Sequence, residues 1–183
     1  MIARQSQARD LYSRLSGIRE ARNARDLALL AVRVGLAWIF IYNGAAKLFG
    51  WFGGGGLHQS TQFFANVAHL HPAGFFSALA GVIEFFGAIG VGIGILGRLA
   101  ALALAGDMVV AMATVTWGNG IASNAPGQGY ALNIALLTMA VGVALMGTGR
   151  FSLDEALRRM WLSRRSSAVT RSPAAGAPAA GGA

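Results

Sequence analysis

The chain has no cysteine. That absence removes disulfides, thiol relays, cysteine-ligated iron–sulfur clusters and persulfide chemistry, and it leaves the redox compartment unmarked. Charge is scarce as well: 12 % of residues are charged, about half the share of an ordinary soluble domain. Histidine is limited to His58, His69 and His71, and none of them lies in a long apolar run. A haem held by histidines on facing membrane helices is therefore not expected. His69-x-His71 with His58 has the residue types of a metal site. That spacing aims both rings together only on extended backbone, so surface positions are the expectation and no metal is expected. No serine–histidine–aspartate set, nucleotide-binding loop or metal-ligand cluster is present in the sequence.

What the chain has instead is apolar length. Hydrophobic residues make up 55 % of the 183 residues, and the mean hydropathy is +0.53. Four stretches dominate: 27–48, 75–96, 99–117 and 130–146. Each is close to the roughly 20 residues a helix needs to cross the hydrocarbon core. Inside lipid the backbone must bond to itself, so these stretches are predicted as helices. The expected fold is an all-α integral membrane four-helix bundle over 27–149. A basic amphipathic segment (1–26) precedes it, an interfacial C-terminal helix (150–165) follows, and a Ser/Pro/Ala/Gly-rich tail (166–183) is expected to be disordered.

The net charge of +8 does not point to nucleic acid, because the arginines flank apolar spans rather than striping a soluble face. Arg4, Arg9, Arg14, Arg19, Arg22 and Arg25 lie before the first span, and Arg150, Arg158, Arg159, Arg164, Arg165 and Arg171 after the last. Arg98 sits in the short turn between spans two and three. The loops 49–74 and 118–129 carry no charged side chain. The positive-inside rule then places both termini in the cytoplasm, and four spans agree with that. Leu11, Leu15 and Ile18 share one helical face of the leading segment, which reads as an interfacial helix on anionic lipid or as a docking site for a soluble partner. Ser152-Leu153-Asp154-Glu155 is a capping-box pattern opening the C-terminal helix.

The first outer loop opens on Gly50-Trp51-Phe52-Gly53-Gly54-Gly55-Gly56, a run too glycine-rich to be helical throughout. Ser60 then offers a cap for a short helix over 61–70, with Phe63, Phe64 and Val67 on its apolar face and Pro72 closing it. The loop reads as a lid on the outer membrane surface, with a re-entrant segment as the alternative.

Two acids stand inside apolar spans. Glu84 lies about 18 Å, and Asp107 about 13 Å, from the cytoplasmic ends of two antiparallel neighbours. Both carboxyls are therefore expected near the midplane, facing into the bundle, either as buried glue that fixes helix order or as a proton-handling or quinone-binding pair. Arg33 and Lys47 fall on one stripe of the first span, and Arg33 is within reach of Asp107. Asn43, Lys47, Trp51 and Trp117 are candidates for the wall of an outward-facing pocket, although tryptophans at this level also make the ordinary aromatic belt. Gly90-x-x-x-Gly94 allows close helix approach.

The order of several segments is similar to a known family. Lys47-Leu48-Phe49-Gly50-Trp51-Phe52-Gly53-Gly54 is followed by Thr61-Gln62-Phe63-Phe64, by Glu84 in a glycine-rich span, by Gly94-Ile95-Leu96-Gly97-Arg98-Leu99-Ala100, and by Gly149-Arg150-Phe151-Ser152-Leu153-Asp154. Over about 33–154 the chain resembles the DoxX family of small bacterial membrane proteins. The resemblance implies a four-helix bundle in the bacterial inner membrane, with Lys47, Trp51, Glu84 and Arg98 as characteristic residues. It also implies an association with quinol oxidase, thiosulfate:quinone or thiol-redox systems. The expectation is a redox-associated membrane subunit that binds quinone near Glu84 and Asp107, surrounded by lipid, in a redox complex or a homo-oligomer. A scaffold that recruits soluble partners through its basic tails, and a small-solute or proton pathway, are the alternatives.

Overall fold

A computed structural model describes residues 2–122 and 129–170, with side chains for 16–122 and 129–162. Every regular element among them is helical. Helix α1 (Ile2–Phe49) is followed by a single 3₁₀ turn (Trp51–Gly53) and by α2 (Gly56–Asn66). Helix α3 (Ala73–Ile93) and α4 (Gly97–Asn119) are the second and third apolar helices, α5 (Ala131–Met146) is shorter, and α6 (Leu153–Thr170) ends the described chain.

Three helical segments are long and apolar enough to cross a membrane: Ser16–Phe49, Ala73–Ile93 and Gly97–Asn119. The fourth, α5, has 16 residues and reaches only about 24 Å. The outward surface is that of a protein meeting lipid rather than water. Trp38, in the middle of the first apolar stretch, is 76 % exposed, and Leu145, near the end of α5, is 75 % exposed. The interior is compact, with Leu36, Phe40, Val91, Leu104, Leu136 and Val143 buried where α1, α3, α4 and α5 meet.

The shortfall of α5 is made good by Arg33. Residues 147–152 run without helix at one end of the bundle, where their carbonyls lack helical partners. Arg33, fully buried, donates to Thr148 O (2.6 Å) and Phe151 O (2.9 Å) from this stretch. It also donates to Val91 O (2.8 Å) and Gly92 O (2.7 Å), the carbonyl end of α3, where a cation is favoured. The same end carries a reciprocal set of caps. Asp154 accepts from Leu96 N (3.1 Å) and Gly97 N (3.3 Å) at the start of α4, while its own N–H donates to Gly94 O (3.0 Å). Gly94 (φ +74°) must be glycine, because a Cβ there would fall 2.5 Å from the Ser152 Cβ.

Several expectations are adjusted. The leading segment is not a separate interfacial helix: α1 is continuous from Ile2 into the first span, since no glycine pair or proline interrupts it. The helix of the outer loop begins at Gly56 rather than after Ser60, and Ser60 spends its hydroxyl on Lys47 O (3.3 Å). Ser152 does cap α6, accepting from Glu155 N–H (3.2 Å), but Glu155 turns to Arg158 and Arg159 instead of closing the box. Helix α6 continues to Thr170, past the expected end at 165, and the remainder of the tail lies outside the described residues.

Arg33→Met leaves four carbonyls without a donor and is expected to cost about 3–5 kcal/mol. Arg33→Lys recovers only part of this, because an ammonium cannot present a planar fork to carbonyls on two sides. Thermal unfolding in detergent measures both variants, and a wild-type melting temperature for Arg33→Met would remove Arg33 from this role.

Candidate functional site

The site begins with a glycine. A Cβ on Gly44 would lie 2.5 Å from Phe85 N and 2.9 Å from Phe85 Cα, so α1 crosses α3 backbone to backbone at this point. Helix α3 makes one π turn there, over Ile83–Gly87, a widened geometry that recurs at functional sites. Lys47 is one turn along α1 from Gly44, and Glu84 precedes Phe85. The close approach therefore sets the lysine against the acid, and Lys47 Nζ is ion-paired with Glu84 Oε1. The Glu84 side chain is 3 % exposed and that of Lys47 30 %.

Asp107 comes to the same cavity wall from α4. Glu84 Oε2 is buried and has no hydrogen-bond donor among the described residues. Two acids thus face one base in an apolar surrounding.

The cluster lies in the wall of a cavity of about 470 Å³. The rest of the wall is apolar: Phe63, Phe64 and Leu70 from the outer loop, Leu79 and Ile83 from α3, and Val110 and Val115 from α4. Thr114 is there too, with its hydroxyl committed to Val110 O (2.8 Å). Beyond Phe85, α1 has about 6 Å of helix left before Phe49, whereas α3 extends about 18 Å back to Ala73. Helix α2 packs against both and occupies the space that the short end of α1 leaves. The loop read as a lid supplies the cavity's aromatic wall.

Of the seven residues singled out from sequence, the structure brings Glu84, Asp107 and Lys47 together. Arg33 is not near Asp107; it is about 21 Å along α1 from Lys47, and four of its five N–H donors go to carbonyls. Asn43 lines a second groove on the other side of Lys47, with Gly54, Gln59 and Ser60, and its amide donates to Ile39 O (2.9 Å). Trp51 belongs to an aromatic cluster, 5.2 Å from Phe49 and 6.4 Å from Phe85, and Trp117 stacks on Tyr130 at 5.4 Å. Both tryptophans are more than half exposed and neither lines the cavity. Phe63 and Phe64 were legible as an apolar helix face but not as cavity wall. His58 lies 3.1 Å from Gln62, and no group of histidines and acids suited to a metal forms among the described residues.

Residues 28–117 match the sequence model of the DoxX family. This chain is a DoxX-family membrane protein. The match takes in the first three apolar helices, the lid, and all of Lys47, Glu84 and Asp107. It stops at Trp117, short of α5 and of segment 149–154. No curated protein and no solved structure matches the chain. In this DoxX protein the charged cluster is therefore internal to the family segment, whereas the Arg33 carbonyl partners Thr148 and Phe151 lie outside it.

Lys47 is the one lysine in the sequence, so amine labelling of the folded protein reads its side chain alone beside the N-terminus. Glu84→Gln is expected to raise its labelling rate about tenfold, the change that follows from losing a pair worth ~1.4 kcal/mol. Gly44→Val, which forces α1 away from Phe85, is expected to do the same at lower thermal stability. Equal rates in all three proteins would show that the pair is not held in solution.

Proposed function

We propose that the cavity beneath the lid binds a membrane quinone, and that the protein serves as a redox-associated subunit of the bacterial inner membrane. The reading rests on one observation: an apolar cavity of about 470 Å³ carries, in one part of its wall, a donor in Lys47 and an unpartnered acceptor in Glu84 Oε2. Cavities of roughly this size hold small organic molecules, oriented by a few polar groups. A quinone supplies a two-electron, two-proton couple when bound. The oxidised ring offers carbonyl acceptors, which suit Lys47. The reduced ring offers hydroxyl donors, which suit Glu84 Oε2. Glu84 and Asp107 are carboxyls of the cavity wall that can exchange protons with a bound ring, and the lid and helix walls keep bulk water from them. The chain has no cysteine, so the electrons come from a redox partner.

The open side of the cavity supports entry from the bilayer. Leu79 and Val110 are 41 % and 47 % exposed between α3 and α4, and a Cβ on Gly106 would meet nothing within 4 Å. An apolar ligand can pass there without crossing water. The charge distribution supports cytoplasmic termini, with the lid on the opposite side. A second reading, a proton pathway, is favoured by Lys47, which lines both the cavity and the groove of Asn43 and Gln59.

Organic extraction and mass spectrometry of the purified full chain test the proposal. About one quinone per chain is expected in the wild type, with at least a tenfold loss in Glu84→Gln and Lys47→Met. Gly106→Leu is expected to lower occupancy while leaving thermal stability within ~0.5 kcal/mol, because it fills open space. A wild-type protein free of quinone, or equal retention by folded Glu84→Gln and Lys47→Met, would reject the binding site. Proton uptake into liposomes by the quinone-free protein would support the pathway instead.

A further inference from the structure

Beyond the opposite end of the bundle, α1 and α6 enclose a groove of about 500 Å³ between them. Arg19 and Arg22 line it from α1, Arg158 and Arg159 from α6, and Arg150 from the connection; Glu155 is the single acid in the lining. Glu155 is already committed. It accepts from Arg158 Nε and Arg159 Nε, each at 2.8 Å, and these bonds hold its carboxyl down to about 2. Asp26 stands 4.0 Å from Arg150. Arg19 and Arg22 form no ion pair among the described residues. Among the described residues α6 has no extended packing along α1, so the two helices converge there without an apolar seam to offset the repulsion between their arginines.

Depth and surroundings say what kind of anion belongs there. Gly149 is level with Asp26, since a Cβ on it would lie 3.3 Å from Asp26 Oδ1. Arg22 and Arg19 are one and two turns farther along α1, or about 6 and 10 Å. Measured from Asp26, Arg22 falls within the roughly 5–8 Å of a headgroup layer, and Arg19 reaches just past it. Beside the arginines, Leu157, Met160 and Trp161 on α6 and Phe151 before it are each more than half exposed. A soluble anion has no use for such a border, whereas a phospholipid presents acyl chains there. Guanidinium forks match phosphate oxygens in pairs.

We propose that this groove binds the phosphate headgroup of an anionic phospholipid, clasped by Arg19 and Arg22 on one side and Arg158 and Arg159 on the other. The site stands apart from the cavity beneath the lid and does not depend on what that cavity binds. The occupant neutralises the surplus of arginines and bridges two helices that share no apolar seam there.

Native mass spectrometry of the full chain, released from nanodiscs of phosphatidylcholine alone or mixed with phosphatidylglycerol, tests the site. One retained phosphatidylglycerol per chain is expected, with phosphatidylcholine not retained. Arg19→Gln/Arg22→Gln is expected to weaken retention roughly twentyfold, about fivefold for each arginine near a membrane surface. Inorganic phosphate in excess is expected to leave the lipid in place. Unchanged retention in the double variant would overturn the proposal. So would displacement of the lipid by inorganic phosphate, which marks a soluble-anion site, or by an acidic polypeptide, which marks a protein-docking face. Arg158→Gln/Arg159→Gln is an independent second variant with the same expected loss, and a wild-type melting temperature for the bundle confirms that either variant is folded.

Discussion

A single buried arginine fixes the frame on which everything else is hung. Helix α5 is shorter than the other apolar helices, and the chain after Met146 runs without helix, so its carbonyls lack helical partners. Arg33 answers with four hydrogen bonds to carbonyls from two parts of the chain. It thereby ties the end of α3 to the connection between α5 and α6. That connection presents Asp154 to the first N–H groups of α4. The register of α4 against α3, and so the meeting of Asp107 with Glu84, is set from this end.

The two cations of the first span show how one kind of residue serves opposite ends. Arg33 is fully buried, and four of its five N–H donors go to backbone carbonyls. Lys47 is partly exposed and paired with an acid whose second oxygen has no partner. An unsaturated polar cluster in an apolar wall is costly to keep unless something uses it. The difference in saturation, rather than the presence of charge, separates the structural end of the bundle from the end where a ligand fits.

Much of this was legible beforehand. Apolar length alone identified the spans, and the short Gly97-Arg98 turn made α3 and α4 antiparallel neighbours, which put Glu84 and Asp107 at one level. The partner of the acids was misjudged because depth was reckoned from helix ends. Arg33 seemed within reach of Asp107 by length, yet the carbonyls of a non-helical stretch more than a hundred residues away were nearer. Nothing in the local sequence announces that stretch as a hydrogen-bond sink. The signal for Lys47 was present in Gly44, one turn away on the same face. A glycine in an apolar helix marks a close crossing, and the crossing element had to carry its polar residue within a lysine's reach. The lid was misplaced for a related reason. Its phenylalanines were legible as one apolar helix face, but the sequence does not disclose that α1 stops short and leaves a space for them.

The inequality of helix lengths explains where the cavity is. At the Arg33 end the carbonyls of two segments are gathered on one guanidinium, and Gly94 lets the connection at Ser152 approach closely. At the Lys47 end, α1 terminates at Phe49 while α3 and α4 continue. A bundle of equal helices would have filled that volume with side chains from α1. Here a short amphipathic helix, α2, is laid across instead, and a helix on a glycine-rich tether seals less tightly than a continuous span. The volume that remains is bounded by the acids below, the lid aromatics above and the open flank at Gly106. A ligand site at that end, rather than at the Arg33 end, follows from which helix is short and not from any one side chain.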